Sequence, residues 1–130
     1  MKNNIINKIK YLYYIIFALL IILYLFPGSL IGFFIYSDFE RQPELISIST
    51  GTFLNHTIYF FVLTFIALSA RTKYNYVFTN LYLIFLLAIF LEFLHNFIPN
   101  RAFELYDLLA NVFGVSLGLT FFKIIKWIRF

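Results

Sequence analysis

The sequence predicts an all-α polytopic membrane protein, folded as a helical bundle of about four transmembrane helices. Hydrophobic residues make up 62% of the 130-residue chain and charged residues only 12%, about half the usual charged share. A water-soluble domain of this length cannot hide so much apolar surface. Long apolar runs recur along the chain with basic residues beside them, as membrane topology requires. The length predicts one membrane domain over residues 1–130.

Proline divides the first apolar stretch. Span one is expected from Asn4 or Lys10 to Phe26, and a second apolar piece over 29–36 follows Pro27 and Gly28. Because proline removes a backbone donor, we expect the helix to end or bend near Pro27 and a short interfacial piece to follow, with one long tilted helix as the alternative. A signal peptide is disfavoured because the run is long and lacks a small-residue cleavage site. The other three spans are expected at 53–70, 76–97 and 105–127.

The basic residues set the orientation. Eight of the ten Lys and Arg residues lie at the start of span one, between spans two and three, or at the end of span four. The positive-inside rule therefore predicts that both termini are cytoplasmic and that the loops at 38–51 and 98–104 are external. Membrane lipids are the expected partners. Nucleic acid is not, because the basic residues flank spans and form no patch.

Polar residues interrupt the apolar C-terminal half. Polar side chains at membrane depth usually mark a site. The topology gathers six polar residues near the outer face: His56, Glu92, His95, Arg101, Asp107 and Asn111. Glu92 and His95 are three residues apart, and Asp107 and Asn111 four apart, so each pair shares one helix face. A charge within a span costs about 2.5–3.5 kcal/mol. We therefore expect Glu92 to face inward, neutral or paired with Arg101 or a histidine.

Small residues continue the face of span four. Ala110, Gly114 and Gly118 lie at helical spacing, and the two glycines form a GxxxG pattern that lets helix backbones approach closely. Spans three and four are joined by a short turn. We expect them to form a hairpin packed through these three residues, with a polar pocket at its outer mouth that His56 closes from span two.

Purely structural roles are the alternative for several of these residues. Glu92 can be a structural partner of Arg101, and Arg101 a headgroup anchor. Asp107 suits the start of a helix, where a carboxylate meets the helix dipole. Asn111 can simply bond across helices. With no cysteine in the chain, disulfides and thiolate metal sites are excluded, and we predict no metal or cofactor.

The C-terminal pattern resembles that of the VanZ-like membrane proteins. Glu92, the Phe97-Ile98-Pro99-Asn100-Arg101 turn, Asp107 and Asn111 at spacing four, and Gly114 match the family's glutamate, Pro-Gly-Arg-like turn and Asp-x-x-x-Asn followed by glycine. His56 fits an earlier family stretch, Asp-Lys-x-x-His-Phe, whose Asp-Lys pair is missing here. Asn100 replaces the usual glycine, and Glu104 a frequent serine. The resemblance covers residues 52–118.

The resemblance implies a cell-envelope protein of the bacterial inner (plasma) membrane, similar to a founding member associated with teicoplanin (glycopeptide antibiotic) resistance. Three functions stay open. The outer pocket could hold a polar lipid headgroup, such as that of a lipid-linked cell-wall precursor, with Arg101 on its phosphate. A membrane-embedded enzyme could use Glu92 as general base, or a single metal on Glu92, His95, His56 and Asp107. A structural or partner subunit could assemble, as a homo-oligomer or on another membrane protein, through GxxxG.

Overall fold

The described part of the chain is all-helical. The computed structural model describes residues 2–41, 51–70, 80–99 and 101–128, and no strand occurs among them. The all-α class predicted from the sequence is therefore confirmed. The elements in chain order are α1 (Lys2–Leu25), α2 (Leu30–Tyr36), α3 (Gly51–Ala70), α4 (Leu81–Leu94) with a 3-10 turn (His95–Phe97), and α5 (Leu105–Ile128).

The first apolar stretch is broken where proline predicted. α1 ends at Leu25, and α2 leaves it at an angle of 82°. Gly28 takes φ of +112°, which glycine adopts without strain, and the Ser29 side chain caps α2 by accepting from the Gly32 amide at 2.9 Å. The expected break near Pro27 is confirmed, and the alternative of one long tilted helix is wrong.

α4 is shorter than predicted. The expected start at Tyr76 falls among residues 71–79, outside the described residues. Asn80 has extended backbone, and its side chain accepts from the Tyr82 amide at 3.1 Å, so the helix begins at Leu81. With its 3-10 turn it covers Leu81–Phe97, about 25 Å at helical rise, against a hydrocarbon core of about 30 Å.

Among the described residues, fewer than four helices qualify as long spans, so the predicted bundle of four is not confirmed. Two helices of the described residues, Thr52–Ala70 and Leu105–Ile128, are long and apolar enough to cross a membrane, and the bent α1–α2 pair makes three if it counts as one span. The outward faces of the helices, including the shorter α4, are apolar. On α4, for example, exposed hydrophobic residues recur at helical spacing at Tyr82, Leu86, Ile89, Phe90 and Phe93.

The glycine face packs on α3. A Cβ on Gly114 would collide with the Thr57 carbonyl oxygen, and one on Gly118 would lie 2.8 Å from the Phe61 carbonyl oxygen. Thr57 Oγ1 also donates to the Ala110 carbonyl oxygen at 3.3 Å. α3 and α5 thus run parallel at close range, and the expected packing of this face in a hairpin with α4 is wrong. The short connection makes α4 an antiparallel neighbour of α5. However, α4 contacts a different face of α5, the one that carries Asn111.

Candidate functional site

Polar side chains from four helices meet at one end of the bundle. α1 and α4 end there, whereas α3 and α5 begin there, and all the side chains involved are buried. Five of the six predicted residues are among them, together with one that the sequence analysis missed. We call this group the polar cluster: Tyr24, His56, Glu92, His95, Asp107 and Asn111.

Glu92 is the centre of the polar cluster and has no exposed surface. Its Oε2 accepts from the Tyr24 hydroxyl at 2.7 Å and from Asn111 Nδ2 at 3.4 Å. Its Oε1 accepts from the Glu104 amide at 3.2 Å and lies 3.2 Å from His95 Nδ1. These contacts satisfy the four positions at which a carboxylate accepts. Glu92 faces inward as predicted, and the expected alternative of a histidine partner is confirmed by its contact with His95. The alternative of a pairing with Arg101 is wrong, because Arg101 donates to the Gly28 carbonyl oxygen.

His95 and Glu92 form a histidine–carboxylate pair. Its Nε2 lies 3.1 Å from the Tyr24 backbone carbonyl oxygen, and a carbonyl only accepts, so Nε2 carries a hydrogen. A neutral ring then turns the lone pair of Nδ1 toward Glu92. That contact is favourable only when a proton lies between the two groups, on either the imidazole or the carboxyl. The His95 ring also stacks on Tyr24 at 4.7 Å between centroids.

His56 forms a second histidine–carboxylate pair. Its Nδ1 lies 3.1 Å from Asn111 Oδ1 and 2.9 Å from the Tyr24 hydroxyl. The amide oxygen only accepts, so Nδ1 donates. His56 Nε2 then faces Asp107 Oδ2 across 3.5 Å, and again one of the two groups must hold a proton for the contact to be favourable. Asp107 Oδ1 is buried without a hydrogen-bond partner.

Tyr24 joins the two pairs and was missed from the sequence. Its hydroxyl donates to Glu92 and accepts from Asn111 Nδ2 at 2.5 Å, on the side where His56 also lies. It is one of ten tyrosines and has no polar neighbour at helical spacing. The available signal was its depth, since it lies in the last turn of span one, level with the other polar residues.

Arg101 lies beside the polar cluster, in the connection between α4 and α5. Its Nη2 donates to the Gly28 carbonyl oxygen at 2.6 Å, which ties this connection to the α1–α2 break. Its Nε is buried without a hydrogen-bond partner. Burial lowers the pKa of the guanidinium while the nearby Asp107 and Glu92 raise it, and arginine stays cationic throughout.

A cavity of about 80 Å³ opens between these groups. We call it the head cavity. Its polar wall consists of Tyr24, Ser29, Asn55, His56, Tyr59, His95 and Arg101. The predicted pocket is thus built from the α1–α2 break, α3 and the end of α4. It holds Arg101 and both histidines, while Glu92, Asp107 and Asn111 support the histidines from behind.

The four residues considered as metal ligands form two histidine–carboxylate pairs instead: His95 with Glu92, and His56 with Asp107. Among the described residues, no group of three or more His, Cys, Asp or Glu side chains is arranged to hold a metal ion. The nitrogens of His56 and His95 face hydrogen-bonding partners within the protein. The chemistry that this arrangement offers is proton transfer along hydrogen bonds and recognition of an anion by Arg101.

The described residues define a class: an all-helical fold with two or three helices long and apolar enough to cross a membrane and a buried polar cluster at one end. No family model, no curated protein and no solved structure matches the chain.

Proposed function

We propose that this chain is a VanZ-like protein of the bacterial plasma membrane whose head cavity binds the anionic headgroup of a lipid at the outer face. The orientation has physical support, because Lys8, Lys10, Lys123 and Lys126 lie on α1 and α5 far from the polar cluster. Such a separation suits cytoplasmic termini and an outward-facing site. The residues that carry the family resemblance, Glu92, Arg101, Asp107 and Asn111, meet around one site, which supports a common role.

Arg101 is the observation that carries the binding proposal. One of its terminal nitrogens donates to the Gly28 carbonyl oxygen, its Nε is buried without a hydrogen-bond partner, and the residue lines the head cavity. A planar guanidinium with donors to spare is suited to a phosphate. A lipid-linked cell-wall precursor carries this chemistry, and binding it would connect the chain to glycopeptide resistance.

Native mass spectrometry of the protein released from its own membrane tests the proposal. The wild type should carry a phosphate-containing lipid. Arg101→Lys should lose most of it, because the lysine ammonium is a point charge and lacks the planar set of donors that binds two phosphate oxygens at once. Arg41→Lys is the matched control, since Arg41 is exposed and lies 4.1 Å from the Tyr36 ring, away from the head cavity. Equal lipid adducts in wild type and Arg101→Lys would refute the proposal.

A membrane-embedded acid–base enzyme is the second candidate. The observation that favours it is the pair of histidines on the cavity wall, each backed by a carboxylate. Such pairs can take up and release protons during hydrolysis. A long-chain alkyl diphosphate would react with water to give the alkyl monophosphate and inorganic phosphate.

Phosphate release from that substrate tests the enzyme. The wild type should release phosphate and Glu92→Gln should not, whereas Glu104→Gln, whose side chain is exposed, should match the wild type. Release that is equally absent from all three proteins leaves binding as the function and rules out this reaction.

A further inference from the structure

An apolar groove runs beside the head cavity. It has a volume of about 500 Å³, within the range typical of small-molecule sites. We call it the tail groove. Its walls come from three helices, with Leu19 and Leu23 on α1, Ile31 and Ile35 on α2, and Ile58 and Val62 on α3. α2 forms a wall because the chain bends by 82° after α1.

The tail groove and the head cavity adjoin each other. Five residues line both: Leu20, Leu23, Ile31, Asn55 and Tyr59. Of these neighbouring spaces, one carries the Arg101 cation and two histidines, and the other is lined almost entirely by hydrocarbon. A ligand that fits both spaces has an anionic head and an apolar chain.

We propose that the tail groove holds a hydrocarbon chain of the same lipid whose anionic head occupies the head cavity. This inference rests on the proposed function and adds to it a second binding element, which recognises the chain. The ligand class is a long-chain phosphate or diphosphate lipid. α1, α2 and α3 then bind the chain, while the connection after α4 binds the head.

The lining of the tail groove suits a hydrocarbon chain. Among the residues that line it, Asn55 and Tyr59 alone are polar, and both also line the head cavity. A hydrocarbon chain has no polar group that such an apolar wall would leave unpaired. The charge of Arg101 beside the groove favours a chain that carries an anionic end.

Photolabelling with a long-chain alkyl phosphate that carries a diazirine in mid-chain tests this inference. The protein is reconstituted in phosphatidylcholine nanodiscs, and labelled peptides are mapped by mass spectrometry. We expect labels to concentrate on α1 over 16–23 and on α3 over 58–62. The lipid-facing residues of α4, such as Leu86 and Phe90, report labelling by bulk lipid and should carry few labels.

Two variants give the test its contrast. Val62→Phe fills the groove and should abolish the excess labelling of α1 and α3, while binding of inorganic phosphate is unchanged. Ile89→Phe adds similar bulk on the exposed face of α4 and should leave the pattern as in wild type. If Val62→Phe does not fold, the smaller change Val62→Leu should still lower the excess.

The outcomes separate this inference from the proposed function. If Arg101→Lys loses the lipid but wild-type labels spread evenly over all lipid-facing helices, headgroup binding stands and the tail groove is refuted. If the corresponding long-chain alcohol labels the groove as strongly as the phosphate does, the groove holds ordinary bilayer lipid, and the link to an anionic head is wrong. Groove labelling that requires both the phosphate and Arg101 supports both.

Discussion

Two contacts between the described helices work by different physics. α3 and α5 meet through Gly114 and Gly118, where backbone touches backbone and a single Cβ would collide. At the end of the bundle, α1, α3, α4 and α5 meet through the hydrogen bonds of the polar cluster. The glycine contact is sensitive to volume. The polar cluster is sensitive to the number of donors and acceptors, and much less to size.

The largest effect is expected from Gly114→Leu. One added methyl group in a packed contact costs about 1–3 kcal/mol, and leucine brings four carbons against the Thr57 carbonyl. The free energy of unfolding should fall by more than about 3 kcal/mol, as measured by loss of helicity during titration with sodium dodecyl sulfate. Thr120→Leu, at an exposed position of the same helix, should change little. A stable Gly114→Leu protein would show that α3 and α5 do not depend on close approach.

The second-largest loss of stability is expected from Glu92→Leu, although leucine has about the same volume as glutamate. The Tyr24 hydroxyl and the Glu104 amide lose their acceptor, and unsatisfied buried donors cost about 1–3 kcal/mol each. We expect about 2–3 kcal/mol in the same titration. Glu92→Gln keeps one acceptor oxygen and should lose about 1 kcal/mol. Equal losses for the two variants would mean that charge, and not donor count, governs the cluster.

Tyr24→Phe removes one hydroxyl and almost no volume. Glu92 and Asn111 each lose a partner, so about 1–2 kcal/mol of stability should disappear. Tyr82→Phe is the control, since Tyr82 is 78% exposed. Indistinguishable unfolding midpoints for the two variants would remove Tyr24 from the centre of the cluster.

The smallest effect is expected from Asp107→Asn. The amide can donate to His56 Nε2 where the carboxyl shared a proton, so stability should change by less than about 1 kcal/mol. Nitrogen NMR of the His56 ring should then show a neutral imidazole with its hydrogen on Nδ1. A ring that still carries both hydrogens in this variant would contradict the shared proton.

The two contacts also differ in how far sequence could predict them. The all-helical class, the break at Pro27 and the start of α5 at Leu105 follow from composition, proline chemistry and local spacing. The convergence of five polar residues follows from topology, because a polar group in a span must face the interior. In both cases the prediction depends on residues that are close in sequence or on the depth of a residue in the membrane.

The remaining features depend on helix rotation, which spacing alone leaves open. Gly114 needs a close neighbour, but nothing in its spacing distinguishes α3 from α4. Arg101 and Glu92 are close in sequence, yet Arg101 bonds to Gly28, whose carbonyl is exposed only because the chain bends there. Tyr24 joins the cluster through contacts 32, 68 and 87 residues away, distances at which no local pattern exists.

The bond from Arg101 to the Gly28 carbonyl has a consequence for affinity. A free arginine side chain holds about 2 kcal/mol of rotamer entropy, which a binding partner must ordinarily overcome when it immobilises the group. Here the α1–α2 break supplies the acceptor that fixes the guanidinium before any ligand arrives. The ordering is completed during folding, so an anion that enters the head cavity meets a donor that is already immobile.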